Sequence, residues 1–119
     1  MISTIGGLLS TYNGKGVEKP VQITLVNDIP TVDYDPVKVD RCKGDWVNWT
    51  CPEADRFEVE FTVKSPFSGK KYGGPKTAKS DKCKADADVG GHKYLIRVWK
   101  GGKLYEVDPI ADVEDGGDE

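Results

Sequence analysis

The clearest pattern along the chain is a strict alternation of apolar and polar residues. Phe57, Val59, Phe61 and Val63 alternate with Glu58, Glu60, Thr62 and Lys64. A period of two is typical of a β-strand with one buried face, so this stretch predicts a strand with four apolar side chains directed into a core. Residues 45–50, with Trp46 and Trp49, are rich in strand-forming residues and predict a second strand, entered through the turn pair Lys43-Gly44.

Shorter extended segments fill most of the remaining chain. They lie at residues 21–26, 31–34, 37–40, 80–86, 92–99, 103–107 and 110–114. Asn27-Asp28 and Gly101-Gly102 are turn signals between neighbouring segments. We expect seven or eight of these segments to form short strands separated by turns, which favours an all-β sandwich or barrel. Residues 65–78 are so rich in glycine, proline and lysine that we expect a long irregular loop there.

The length of 119 residues indicates one domain with a core of its own. We divide the chain into an N-terminal arm (1–16), a β-sandwich domain (17–114) and an acidic tail (115–119). Ile5, Leu8 and Leu9 make the arm apolar, and two interpretations stay open: it folds back on its own domain, or it docks on a partner. The chain shows no signal peptide and no membrane span, so we expect a cytoplasmic protein, unless a leader has been removed.

Charge is distributed unevenly along the sequence. Residues 64–84 contain seven lysines and a single acid, Asp81, whereas residues 105–119 contain seven acids and no base. A basic segment that also carries aromatic residues is suited to an acidic protein surface. The predicted partner-binding residues of this segment are Lys64, Phe67, Lys70, Lys71, Tyr72, Lys76, Lys79, Lys82 and Lys84. Nucleic acid is a weaker alternative ligand because the protein is acidic overall, and a solvated loop without a partner is the structural alternative.

Several of these motifs together resemble a known family. They are VKVDRCKGDWVNW, FEVEFTVKSPF, the glycine turn before HKYLIRV, and the closing DPIADVE, which together span roughly residues 21–114. The pattern resembles the cupredoxin-like β-sandwiches, and in particular the uncharacterised small bacterial members that lack copper. The resemblance implies a Greek-key sandwich of seven or eight strands.

The sequence lacks the ligands of a blue-copper site, which needs two histidines, a cysteine thiolate and usually a methionine. Its only methionine is Met1 and its only histidine is His92. Phe57 stands where the resemblance implies the first histidine, and the C-terminal ligand positions hold Arg97-Val98, Lys100 and Val107-Asp108. Three scattered cysteines do not have the spacing of a zinc site either. We therefore expect no metal and no cofactor.

The remaining reactive residues point away from catalysis. His92 has no second histidine and no serine-nucleophile motif near it, so we interpret it as a surface or turn residue. The resemblance makes the elements flanking Cys51 and Cys83 antiparallel neighbours, which leaves open a cross-strand disulfide between them, with Cys42 unpaired.

These observations lead to one expected function and one alternative. We expect a non-catalytic, copper-free, cupredoxin-like module that serves as an interaction or accessory subunit of a larger protein assembly. The alternative is a binding protein for an anionic ligand or nucleic acid at the same lysine-rich loop. A histidine in a cleft beside a carboxylate would instead favour an enzyme.

Overall fold

Strands form where the sequence alternates, and turns form where glycine, asparagine and aspartate cluster. The computed structural model describes residues 15–116, and this part of the chain is all-β, without a helix. Its strands are β1 (Glu18–Val26), β2 (Ile29–Val32), β3 (Val37–Asp40), β4 (Trp46–Thr50), β5 (Arg56–Phe61), β6 (Lys71–Gly74), β7 (Thr77–Lys79), β8 (Gly90–Lys100), β9 (Lys103–Val107) and β10 (Ile110–Glu114). The arm residues Ile5, Leu8 and Leu9 lie outside the described residues.

The strands form two mixed sheets that face each other as a sandwich. The first has the order β2-β1-β4-β7 and the second the order β3-β10-β8-β5-β6, with β9 also paired to β8. Two pairs are parallel, β1 with β4 and β3 with β10, and the other pairs are antiparallel. Within residues 15–116 there is accordingly no helix that could cross a membrane.

Aromatic side chains from both sheets meet in the core. Trp49 of β4 lies edge-on to Tyr94 of β8, with 5.7 Å between ring centroids, and its indole Nε1 donates a hydrogen bond to the Tyr94 hydroxyl at 3.3 Å. Phe61 of β5 packs on Tyr94 at 5.1 Å. All three side chains are completely buried. Substitution of such aromatic residues by alanine typically costs about 3–5 kcal/mol, so this contact between the sheets is a major part of the stability.

Both predicted turns are confirmed. Asn27 and Asp28 have φ angles of 53° and 65°, and Gly101 and Gly102 have φ angles of 59° and 79°. Positive φ at two successive residues suits tight hairpin turns, and it is a conformation that asparagine, aspartate and glycine tolerate. These turns join β1 to β2 and β8 to β9.

Three local expectations are wrong. Val63 is 83% exposed because β5 ends at Phe61, two residues before it. The predicted loop at 65–78 contains β6 and the start of β7. Residues 80–86 form no strand and contribute only an isolated bridge between Phe67 and Cys83. The described chain therefore has ten strands rather than seven or eight.

Candidate functional site

The lysine-rich segment runs along one lateral edge of the sandwich. Its strand β6 is the outermost strand of the second sheet, and its strand β7 is the outermost strand of the first. Only Pro75 and Lys76 separate them, and a side chain at Gly74 would collide with the carbonyl oxygen of Thr77. The tight connection therefore brings the two sheet edges together. We call residues 64–84 the lysine edge.

The lysines of this edge differ in their ion pairs and in their exposure to solvent. Lys64 pairs with Asp88, and Lys71 lies 4.0 Å from a carboxylate oxygen of Glu58. Within residues 15–116, Lys70 and Lys79 are exposed and form no ion pair. Lys82 is exposed and Lys84 is half-buried. The ammonium groups best placed to meet a partner are thus those of Lys70, beside β6, and Lys79, in β7.

The Lys76 side chain forms hydrogen bonds that stabilise the fold. Its Nζ donates to the carbonyl oxygens of Pro52, at 3.0 Å, and Ala54, at 2.7 Å. These bonds tie the β6–β7 connection to the loop between β4 and β5. We therefore remove Lys76 from the set of lysines that a partner would contact.

The two aromatic residues predicted to supply partner contact area are used inside the protein. Phe67 is only 1% exposed and packs edge-on against Phe61, so its assignment to a partner surface is wrong. The Tyr72 ring is half-buried and stacks on Trp49, with 6.0 Å between ring centroids. Both residues attach the lysine edge to the core.

A polar network that the sequence analysis missed shapes the turn before β6. The Tyr72 hydroxyl donates to Asp81 at 2.8 Å, and the Ser68 hydroxyl donates to the same carboxylate at 2.9 Å. The backbone N–H of Gly69 points at the Tyr72 hydroxyl and at Asp81. These hydrogen bonds lower the pKa of Asp81, while burial and the Asp81 carboxylate raise the pKa of Tyr72 to about 12. The sequence does contain one signal for this network, because Asp81 is the single acidic residue of the lysine-rich segment.

The pairing of Cys51 with Cys83 is not found, and the cysteines of the described chain are free. The Cys83 N–H donates to the carbonyl of Asp45, directly before β4, whereas Cys51 directly follows β4. Six residues of extended chain span about 20 Å, far beyond disulfide reach. Burial raises the pKa of the Cys51 thiol and raises that of Cys83 to about 12. Neither is a ready nucleophile, because the thiolate is the reactive form.

His92 is a buried residue rather than the surface or turn residue expected. It lies in β8 and is 7% exposed. Its Nδ1 is 3.0 Å from the carbonyl oxygen of Lys64, and its Nε2 is 2.8 Å from the carbonyl oxygen of Asp88. His92 and Asp88 also line a groove at the surface. Because both ring nitrogens already face backbone carbonyls, neither is free to take a proton from a substrate.

Metal binding has no evident location in the described chain. Among residues 15–116, no three histidine, cysteine, aspartate or glutamate side chains are grouped to hold a metal ion. Phe57, at the position where the resemblance implies a histidine ligand, is 1% exposed and belongs to the core.

A different surface occupies the opposite edge of the second sheet. There a groove of about 460 Å³ lies between β1 and the β2–β3 connection. It is lined by Lys19, Pro20, Tyr34, Pro36, Val37 and Lys38. Lys19 and Lys38 pair with Asp45 and Glu114, respectively. The two lateral edges therefore differ: one is an apolar groove whose lysines form ion pairs, and the other carries Lys70 and Lys79, which form no ion pair within residues 15–116.

Comparison of the chain with protein-family models, with curated proteins and with solved structures gives no match.

Proposed function

We propose that the protein is a non-catalytic interaction domain, an accessory subunit that binds an acidic surface of a partner protein through its lysine edge. One observation carries the proposal: the exposed ammonium groups of Lys70 and Lys79, without ion pairs in residues 15–116, lie beside and in strands that pair with the two sheets, β6 with β5 and β7 with β4. Strand pairing matters because it orders the segment before a partner arrives, so that binding loses less conformational entropy.

The chemistry of the reactive groups supports a binding role over catalysis. The ring nitrogens of His92 face two carbonyl oxygens, and the thiols of Cys51 and Cys83 are completely buried. General acid–base catalysis needs a group that reaches a substrate proton, and nucleophilic catalysis needs an accessible activated atom. These three residues meet neither requirement.

The strand order supports a Greek-key arrangement of the kind that the resemblance to cupredoxin-like sandwiches implies. Successive strands change sheets: β2 lies in the first sheet and β3 in the second, and β6 and β7 are divided in the same way. The last strand, β10, follows β9 after only two residues and lies beside β3, from which it is distant in sequence. Greek-key arrangements, which occur in most β-sandwiches, likewise place strands side by side that are not consecutive in the chain.

Nucleic acid is the weaker ligand for the lysine edge. Proteins that bind single strands combine basic residues with exposed aromatic rings on which bases stack. In this edge Phe67 is buried and Tyr72 already stacks on Trp49. The lysines alone offer attraction without a stacking surface, which suits a carboxylate-bearing protein better.

The decisive experiment compares two charge-reversal variants in affinity purification from the native cells. The edge variant is K70E/K79E, and the matched control is K43E/K103E, which makes the same change in charge at exposed lysines elsewhere. We expect a stoichiometric protein partner with the wild type and the control, and at least tenfold less of it with the edge variant. Raising the salt concentration should weaken the capture, because exposed charges are screened.

Other outcomes would contradict the proposal. If no protein co-purifies at low salt, the accessory-subunit role fails. If both variants lose the partner equally, partner binding depends on the net charge of the protein and not on the position of the lysines. A parallel titration with a single-stranded oligothymidine tests the alternative: tight, salt-dependent binding that K70E/K79E abolishes would replace the protein partner by nucleic acid.

A further inference from the structure

Strand β6 is the terminal strand of the second sheet, and it is paired on one side only. It runs antiparallel to β5, and the Phe61 N–H donates to the Lys70 carbonyl at 2.8 Å. In an antiparallel pair, hydrogen-bonded positions alternate with positions whose backbone groups point away from the partner strand. The register therefore directs the N–H and C=O groups of Lys71 and Gly73 away from β5, and both residues are exposed.

The two lateral edges of the sandwich differ in the residues that protect them from pairing with another chain. On the edge opposite β6, Pro20 lies in β1, Pro30 in β2 and Pro36 directly before β3. Proline has no N–H and opposes the addition of a further strand, whereas an edge lysine opposes other basic strands and keeps its backbone N–H. Strand β6 contains no proline and begins with Lys71. Its outer side can therefore pair with a strand that carries negative charge.

We propose that the lysine edge recognises an extended acidic segment of the partner, which adds to the second sheet as a further strand beside β6. This inference rests on the proposed function, because it names the form in which the partner presents its acidic groups. Main-chain hydrogen bonds to Lys71 and Gly73 supply affinity, as in other proteins that bind a peptide at a sheet edge. The ammonium groups around β6 supply the preference for acidic side chains.

Cations predominate around the outer side of β6. Lys70 directly precedes the strand and Lys79 lies in β7, the terminal strand of the other sheet; both are exposed and form no ion pair within residues 15–116. The nearby Glu58 carboxylate lies 4.0 Å from the Lys71 ammonium group and pairs with two arginines as well. A carboxylate opposite Lys71 on the added strand gains an attractive cross-strand pair, and a lysine there is repelled.

A surface groove of about 450 Å³ adjoins this edge. Its walls come from β5, β6 and the residue after β6: Arg56, Phe57, Glu58, Gly73, Gly74 and Pro75. The two glycines have no side chains that could fill the groove. The Arg56 guanidinium, which stacks on Trp99 at 3.6 Å from the ring centroid, adds a cation to its wall. The groove therefore offers space and a further positive charge to side chains of the added strand.

Amide exchange of the full-length protein tests the added strand directly. The probe is an acetylated and amidated heptapeptide of alternating glutamate and threonine, added to the ¹⁵N-labelled protein at low salt. On saturation we expect the exchange of the Lys71 and Gly73 amides to slow by at least about tenfold. The Tyr72 amide, which faces β5, should change little. Absence of binding would overturn the proposal and leave the lysines with the role of protecting the edge; binding without slower exchange at Lys71 and Gly73 would also overturn it.

Two control peptides separate charge from backbone pairing. A heptapeptide of alternating lysine and threonine has the same strand-forming pattern with the opposite charge and should not bind. The glutamate–threonine peptide with every backbone nitrogen methylated keeps its charge but has no N–H groups, and it should bind at least about tenfold more weakly than the parent peptide. Equal binding of the methylated and parent peptides would show that only charge is recognised and would contradict strand addition.

Two variants at one position make the same distinction within the protein. K71P and K71A both remove the ammonium group, but only K71P removes the outward N–H, and proline is tolerated at the first residue of a strand. We expect K71P to bind the glutamate–threonine peptide at least about tenfold more weakly than K71A. Equal affinity of the two variants would refute the main-chain bond. Should K71P fail to fold, the exchange of the wild type and the methylated peptide still decide.

Partner capture distinguishes failure of this inference from failure of the proposed function. If K70E/K79E loses the partner while K71P captures as much of it as K71A does, the lysine edge stands and the added strand is wrong. If the peptide pairs with β6 but no protein is captured from the cells, the edge binds acidic strands and the accessory-subunit role fails. Light scattering of the free protein tests a second copy as the occupant: a dimer that K71P dissociates would assign β6 to self-association and overturn the acidic partner.

Discussion

Single polar side chains hold together backbone segments that are distant in sequence, and Asp45 shows this most clearly. It is 2% exposed, and its carboxylate oxygens accept hydrogen bonds from the backbone N–H groups of Val17 and Asp40, each at 2.9 Å. It thereby joins the start of β1, in one sheet, to the end of β3, in the other. In the sequence Asp45 is simply the polar first residue of the strand predicted at 45–50.

Replacing Asp45 by alanine should destabilise the protein by about 2–4 kcal/mol, because two backbone donors lose their acceptor in a buried site. D45N should cost less, since its amide oxygen still accepts one bond. Urea unfolding followed by tryptophan fluorescence measures both. The control is D108A, which removes an exposed ion pair with Lys93 and should change the free energy of unfolding by less than about 1 kcal/mol. Equal losses for D45A and D108A would show that the buried bonds matter little.

The thiols allow a second test at the residue scale. Cys51 and Cys83 are completely buried, whereas Cys42 is half-buried at the surface, where its Sγ donates to Asp115. In the native protein at pH 8 we expect a thiol reagent such as DTNB to modify Cys42 alone, and slowly, because that hydrogen bond also raises its pKa. In denaturant all three should react. A native sample without reductant that yields one thiol after denaturation would instead contain a disulfide.

At the scale of elements, the lysine edge has one contact whose strength depends on pH. At its turn, the carboxylate of Asp81 accepts hydrogen bonds from Tyr72 and Ser68, and these lower its pKa. A carboxylate whose pKa is lowered on folding contributes stability above its unfolded pKa and loses it as the pH falls. The turn should therefore be more ordered at neutral pH than in acid.

We expect protonation of Asp81 to loosen the turn below about pH 4, where an unperturbed aspartate gains its proton. The backbone amide of Gly69 points at this network, so its ¹H–¹⁵N signal should shift as the pH falls from 5 towards 2. D81N should lack that shift, while Y72F, which keeps the carboxylate but removes one donor, should move its midpoint upward. A Gly69 signal that behaves the same in D81N as in the wild type would rule out Asp81 as the cause.

For the whole molecule, the topology places strands together that are far apart in sequence. Val37 of β3 lies beside Ala111 of β10, and Val21 of β1 lies beside Trp49 of β4, both in parallel pairs. Parallel pairing of distant segments requires closure of long loops before any contact is gained. Such non-local topologies fold slowly for their size.

We therefore expect refolding on a timescale of milliseconds to seconds, observed by stopped-flow tryptophan fluorescence. V113A, in the late-pairing strand β10, should mainly accelerate unfolding, whereas V59A, at the centre of the β5–β8 pair, should also slow refolding. Both valines are buried, so the two variants remove comparable side chains. Refolding within microseconds, or the reverse pattern of rates, would contradict this order of events.

The local pattern of the sequence is sufficient for the fold class and for most of the elements. Alternation at 57–61 and at 92–99 predicts strands that the structure contains, and the turn pairs at 27–28 and 101–102 form as expected. These features depend on neighbours in sequence: side chains alternate along any strand, and glycine or asparagine supplies the positive φ of a tight turn. The same local reasoning extended β5 to Val63, because the alternation continues beyond Phe61, the last residue of β5 that pairs with β8.

The contacts of Phe67, Tyr72 and His92, and the ion pairs that some of the lysines form, are set by the three-dimensional arrangement of the chain. The sequence places the lysines in one segment, yet the carbonyls that hold Lys76 and the carboxylate that pairs with Lys64 come from elsewhere in the chain. Cys51 and Cys83 lie beyond opposite ends of β4. Their positions depend on strand pairing and cannot be predicted from their spacing in the sequence. Composition and periodicity determine which side chains are apolar and lie on the buried face of a strand. The pairing of distant strands determines which side chains are in contact, because each such contact depends on the register of the whole sheet.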